Sequence, residues 1–397
     1  MLNVIVPLAG TGSRFLREGY ARPKPFVKAW GKEIILWLIE NLALQSTDVL
    51  VFVYNSKPEL GMSLKPFFRI VEDHFVSASR SERPEVNYVC LDKPTVGAAE
   101  TVLQGIKSLP SNRLNLPSVL LDGDTFYNVD VLTIFRELSQ ERDTKNHSIL
   151  NGGAVIVFDD DKPDENPYSY VKTGFPADSI KHIKEKNKEG MSGLACSGCY
   201  YFHHTLTLMT EIMGAVELHS QIADSLVVQK ELYTSSVISK MLEKGGNFKA
   251  IKLETTEFHV VGTPTQLGSF ITAADVATQQ SKKRFCFDLD NTLVTSPAVP
   301  GNYATCKPIL RVIDYLQKLH ADGHYIIVYT ARRMRTHDAN IGRVVADVAA
   351  ITIQQLSDFA IPYNELVFGK PFADFYIDDK AILPFLDDLH KETGIIL

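Results

Sequence analysis

Asn3-Val-Ile-Val-Pro-Leu-Ala9 is an almost unbroken apolar run, the pattern of a strand buried on both faces. Gly10 and Gly12 break it into a loop. Apolar runs at 49–54, 86–91 and 118–122 predict three further strands, and 34–44 a helix. Strands near 154–158 and 198–202 surround polar turns at 159–163 and 184–189. Residues 266–280 have the look of a helix, and Ser281-Lys-Lys-Arg284 of a basic, solvated break. A first-strand pattern then recurs at Phe285-Cys-Phe-Asp-Leu-Asp290. A helix at 308–322, a strand at 325–329, a helix at 340–359 and a strand at 375–377 follow it. Strands alternating with helices predict an α/β protein with helices on both faces of parallel sheets. The restart predicts two such doubly wound domains, 1–281 and 282–397, each long enough to bury its own core.

Composition narrows the class without changing that picture. With 45% hydrophobic and 22% charged residues in 397, the chain is neither disordered nor fibrous nor a disulfide-stapled mini-protein. A net charge of −6 without a basic run argues against nucleic acid or an anionic membrane as the main partner. Five scattered cysteines fit a reducing compartment. The apolar start is short for a secretory signal, and no apolar run reaches the ~18 residues of a membrane helix. The expectation is a cytoplasmic protein; the oligomeric state is open, a homo-oligomer included.

Leu8-Ala-Gly-Thr-Gly-Ser-Arg-Phe15, with Pro23-Lys-Pro25 downstream, is the sharpest chemical feature of the first part. Gly10 and Gly12 let backbone amides approach a phosphate. Arg14 adds a forked donor and Lys24 a point charge. Phe15 stands where a dinucleotide fingerprint has its third glycine, and no Gly-Lys-Ser/Thr follows, so the loop is neither that fingerprint nor a Walker loop.

This stretch resembles the sugar-phosphate nucleotidyltransferase family. Val96-Gly-Ala-Ala-Glu100, Leu121-Asp-Gly-Asp124, Glu185-Lys186, Ser197-Gly-Cys-Tyr-Tyr-Phe202 and Gly262-Thr-Pro264 match its later motifs in order, over about 1–270. The resemblance implies a Rossmann-like domain. It implies nucleotide contacts at Leu8, Ala9, Gly10, Gly12, Gly97 and Asp122, catalytic Arg14 and Lys24, acceptor contacts at Glu185, Lys186 and Gly198, and Mg²⁺ on Asp124. A phosphate monoester is about doubly charged at neutral pH. It can attack the α-phosphorus of a nucleoside triphosphate without a general base, given charge neutralisation and in-line positioning. One departure stands out: Val260 occupies the place of an aspartate that completes the family's metal site. Either His259 or Glu257 substitutes, or the metal relies on Asp124 and the phosphates.

The tail holds Asp288-Leu-Asp-Asn-Thr-Leu293, Ile326-Ile-Val-Tyr-Thr-Ala-Arg332, Gly369-Lys-Pro371 and Phe375-Tyr-Ile-Asp-Asp379. These four segments resemble the haloacid dehalogenase (HAD) phosphohydrolases over about 284–397. The resemblance implies Asp288 as nucleophile, Asp290 as acid and then base, Thr330 and Lys370 as stabilisers of phosphoryl charge, and Mg²⁺ on Asp288, Asp290 and Asp378, with Asp379 in support. The short spans between these segments leave no room for a large cap.

The combined expectation is a bifunctional enzyme with a nucleoside triphosphate and a phosphorylated sugar or small alcohol as substrates, feeding cell-surface glycan synthesis. The alternative is one active domain joined to a nucleotide-binding regulatory module. Cys196 and Cys199 lack partners at zinc spacing and are read as core. Arg332, Arg333 and Arg335 either grip a second phosphate or begin a solvated helix.

Overall fold

The computed structural model describes residues 1–56, 63–76, 83–140, 151–160, 167–223, 231–273, 282–378, 380–384 and 389–395. The chain divides into two compact units, Met1–Phe270 and Ile271–Leu397. No helix among the described residues is long and apolar enough to cross a membrane.

The strands of the first unit are β1 (Asn3–Leu8), β2 (Lys28–Ala29), β3 (Lys32–Glu33), β4 (Val49–Asn55), β5 (Glu85–Leu91), β6 (Ser118–Leu121), β7 (Thr125–Tyr127), β8 (Gly152–Asp159), β9 (Ser169–Thr173), β10 (Ser179–Glu185), β11 (Leu194–Phe202), β12 (Asn247–Lys252) and β13 (Phe258–Val260). Nine of them form one sheet in the order β5-β4-β1-β6-β11-β8-β12-β10-β9. Its first four strands are parallel, with β1 between β4 and β6. Asn3, Val4, Ile5 and Val6 are fully buried, as is β4 from Leu50 to Val53, which is why these strands read as continuous apolar runs.

The other half of the sheet corrects the expectation of a wholly parallel sheet. β11 runs antiparallel to both β6 and β8, and β10 antiparallel to β9 and β12. Connection length is the reason. Only residues 174–178 join β9 to β10, too few for a parallel crossover, and β9 pairs antiparallel with β11 as well. The expected polar turn at 184–189 therefore begins late, because Lys184 and Glu185 still belong to β10. The expected helix at 266–280 is seen as Pro264–Thr272; positions 274–280 lie outside the described residues.

The second unit holds β14 (Arg284–Asp288), β15 (Tyr325–Thr330) and β16 (Glu365–Phe368), parallel and in that order. Helices Leu310–Ala321 and Ile341–Asp358 accompany them. The expected strand at 375–377 does not form. Phe375 is 86% and Ile377 100% exposed; an apolar run becomes a strand only where a sheet edge accepts its backbone, and β16 is the third strand instead.

Helix Ala98–Lys107 lies on the parallel half of the first sheet. A Cβ at Gly105 would sit 2.8 Å from Val53 Cγ2 and 3.0 Å from Ile5 Cγ2. Gly105→Val is expected to destabilise the first unit by about 1–3 kcal/mol through overpacking, read as a lower urea midpoint at unchanged slope.

Candidate active site

The first unit has its chemistry at a topological switch point. β4 lies on one side of β1 and β6 on the other, and ligands of open α/β sheets gather where the carboxyl ends of such strands diverge. A cleft of about 610 Å³ opens there. Leu8, Ala9, Gly10, Gly12, Arg14, Lys24, Gly97, Asp122 and Asp124 all line it.

Local packing places each of them. Gly12 has φ +63, a left-handed conformation that glycine adopts without strain. It turns the chain from β1 into the short helix Ser13–Arg17. Phe15, in the position that broke the dinucleotide pattern, is buried and pins the loop from below, while Arg14 beside it is exposed. Pro23, Pro25 and buried Phe26 fix the single turn that carries Lys24. The Lys24 ammonium forms an ion pair with Asp124 and lies 5.9 Å from the Phe15 ring centroid. Gly97 has φ +156, and a Cβ there would lie 2.4 Å from the Leu232 carbonyl oxygen. The Leu232 N–H donates to Val96 O (2.9 Å), and the Ala99 N–H donates to Leu232 O (3.1 Å). This part of the wall is therefore backbone stitched to backbone.

Asp122 is open to the cleft yet ringed by protein. This environment, followed by the charge of Asp124, raises its carboxyl above the ordinary range, and Lys24 works against the rise. Its backbone N–H donates to Gly198 O at 2.9 Å. A Cβ at Gly198, where φ is +89, would meet Asp122 Oδ2 at 2.3 Å. Gly198 thus makes room for the carboxylate from β11, although it does not line the cleft itself.

Glu185 and Lys186 also lie outside the cleft lining. Glu185 Oε2 accepts hydrogen bonds from Ser169 Oγ and from Ser235 Oγ. Lys186, at φ +50, donates from Nζ to the Tyr233 hydroxyl at 2.9 Å, and this bond raises its pKa. Tyr233 and Ser235 carried no motif to mark them; only the fold brings them to β10. At β13, Val260 pairs with Thr125 beside Asp124. His259 bonds to Asn128 at 3.0 Å and packs on Phe126 and Phe270. Glu257 accepts from the Glu254 N–H at 2.7 Å. Neither contact involves Asp124.

The second unit gathers its polar groups at the carboxyl ends of its three strands. Asp288 ends β14 and Thr330 ends β15, with Lys370 two residues beyond β16. The Lys370 N–H donates to Thr330 O at 3.1 Å, and Lys370 Nζ lies 2.9 Å from Asp288 Oδ1. Thr330 is fully buried and its Oγ1 accepts from the Arg332 N–H. Asp290 meets the Arg332 guanidinium through both carboxylate oxygens, at 2.9–3.0 Å. Arg332 is therefore neither a phosphate grip nor a solvated helix start. A carboxylate partner, with Thr352 and Gln355 around the guanidinium, outweighs the exposure that a run of arginines leads one to expect. Asp378 sits on an exposed irregular segment and accepts from the Lys380 N–H; Asp379 lies outside the described residues.

Among the described residues no three acid, histidine or cysteine side chains converge as a metal cluster. The donors present nevertheless suit a hard cation. Asp122 with Asp124, and Asp288 with Asp290, are all-oxygen pairs, and the mutual repulsion of the first pair is what a divalent ion relieves. Cys196 and Cys199 are buried, and burial pushes both thiols up, as befits core positions.

No family model matches this sequence, and no curated protein does. Solved structures do. A nucleoside-diphosphate-sugar pyrophosphorylase from Vibrio cholerae RC9 superposes with a TM-score of 0.52 at 20% identity, covering 68% of this chain and 99% of that one. A UDP-glucose pyrophosphorylase complexed with UDP-glucose gives 0.50 at 17% identity, over 71% and 100% of the two chains. An apo UDP-glucose pyrophosphorylase gives 0.51 at 16% identity, over 70% and 98%. At these identities the likeness establishes the fold: a mixed α/β sheet of the kind found in sugar nucleotidyltransferases.

Proposed function

We propose that the first unit transfers a nucleotidyl group from a nucleoside triphosphate to a phosphorylated sugar or small alcohol, and that the second hydrolyses a phosphate monoester. The observation that carries the first half is the meeting of Lys24 and Asp124 across the switch-point cleft, beneath the Gly10–Gly12 loop. The pyrophosphorylase names of the structural neighbours support the same reaction class.

In this reading an oxygen of the acceptor phosphate attacks the α-phosphorus, the bond to the bridging oxygen of the β-phosphate breaks, and pyrophosphate leaves. The backbone of Leu8, Ala9, Gly10 and Gly12 cradles the triphosphate, with the base against Gly97. Lys24 and Arg14 offset the charge of two anionic reactants and of the departing pyrophosphate. Glu185 and Lys186, steadied by Ser235 and Tyr233, face the acceptor.

In the second unit a HAD-type scheme fits the strand ends. An Asp288 oxygen attacks phosphorus, and the ester oxygen leaves with a proton from Asp290. Water then attacks the aspartyl-phosphate and returns a proton to Asp290, releasing inorganic phosphate. Lys370 and Thr330 stabilise the phosphoryl oxygens. Mg²⁺ would be held by Asp124 with Asp122 in the first unit and by Asp288 with Asp290 in the second; when bound it neutralises phosphate charge. A cytoplasmic supply of activated precursors for a cell-surface glycan is the setting this pair of reactions fits.

Two tests separate the halves. With the full chain, Mg²⁺ and a matrix of four triphosphates against sugar and polyol phosphates, pyrophosphate release is expected from one pairing. Lys24→Ala or Asp124→Ala is expected to cut it by about 100-fold or more. Absence of release from every pairing overturns the transferase. Asp288→Asn is expected to abolish phosphate release from a generic ester while pyrophosphate release continues unchanged. Persistent ester hydrolysis in that variant overturns the phosphatase and leaves the single-enzyme alternative.

A further inference from the structure

Arg332 is among the largest fully buried side chains of the molecule, and its guanidinium faces the one acid to which the phosphatase scheme gives two jobs. Nε lies 3.0 Å from both Asp290 oxygens, and Nη2 2.9 Å from Oδ1. Nη2 also donates to Gln355 Oε1 at 2.7 Å, and Nη1 to Thr352 Oγ1 at 3.0 Å. The face of the guanidinium lies 4.4 Å from the Tyr303 ring centroid. Gln355 Nε2 in turn donates to Tyr303 O at 2.8 Å. Thr352 and Gln355, three residues apart on helix Ile341–Asp358, share one helix face. The Arg332 side chain is 0% exposed, whereas that of Asp290 is 26% exposed.

Nitrogens engaged in this way, with no surface open to solvent, leave Arg332 nothing to offer a substrate directly. Its effect must pass through Asp290. A planar fork meeting a carboxylate edge-on fixes the plane of that carboxylate as well as its place. A lysine in the same space supplies the charge without the plane. Removing Asp290 would leave Arg332 a buried cation without its counter-charge, so the guanidinium is held to that carboxylate.

We propose that Arg332 is a positioning residue for the second reaction: braced by Thr352, Gln355 and Tyr303, it sets the angle from which Asp290 hands its proton to the leaving oxygen. The proposal rests on the phosphatase reading, so its test separates the two. It uses the full chain with Mg²⁺ and two esters. The phenolate of p-nitrophenyl phosphate leaves without needing a proton, whereas the alkoxide of glycerol 2-phosphate needs one. Arg332→Lys is expected to lower kcat/KM, which reports the steps up to departure of the ester oxygen and not the later hydrolysis of the aspartyl-phosphate, by about 100-fold on the alkyl ester, the scale of general acid catalysis, and by less than 10-fold on the aryl ester. Asp290→Asn is expected to show the same selectivity in kcat/KM while lowering kcat on both esters, since its role as base is common to them, and the double variant no further selective loss in kcat/KM. Gln355→Met, which removes one brace and keeps the fork, is expected to show a smaller loss of the same selectivity, and it serves if Arg332→Lys does not fold. Equal losses on the two esters, or no loss on either, overturn the proposal while the wild type remains active. A wild type that hydrolyses neither ester removes the phosphatase reading and this proposal together.

Discussion

A lysine drawn against a carboxylate at or just past the carboxyl end of a parallel strand recurs in both units. In the first it is Lys24 on Asp124, and in the second Lys370 on Asp288. Parallel strands buried by helices send their side chains into apolar layers, so polar chemistry is left to the strand ends, where the chain turns. Carboxylates collected there repel one another and shed solvation, and a cation nearby makes their ionised forms tolerable. The same pairing occupies both lysines in the structure, so any other anion reaching either strand end would compete with a carboxylate for the ammonium.

Much of the fold was legible. β1, β4, β5 and β6 are apolar because both faces are covered, and the sequence shows that directly. What was not legible is direction. The short segment 174–178 turns β10 back along β9, and β11 also runs antiparallel to β9; alternation of strand and helix elsewhere in the chain masked the reversal. In the second unit the strongly apolar run Phe375-Tyr-Ile made no ladder, whereas Glu365-Leu-Val-Phe368 did. Hydrophobicity records a tendency to leave water, and pairing depends on which edge is available.

Site residues divide along the same line. Gly12, Lys24 and Gly97, each tied to a glycine or a proline at a loop, line the switch-point cleft, because backbone conformation at such residues is set locally. Those that depend on distant partners were out of reach: Tyr233 under Lys186, Ser235 on Glu185, and the burial of Arg332 among Thr352, Gln355 and Tyr303. An arginine gives no sign in sequence of whether its fork ends in water or in a pocket.

The split character of the large sheet also bears on how the chain comes to be made. β9 and β10 are joined by a turn of a few residues, so their pairing closes a small loop and forms fast. β1 pairs with β6, Asn3 beside Ser118, and closing so long a loop carries an entropic cost before any contact returns it. β1 leaves the ribosome before β4 and β6, apolar along most of its length, and waits several seconds for its second neighbour at ordinary rates of synthesis. The switch-point cleft spans that late-forming seam, so it is among the last features of the first unit to acquire its native shape.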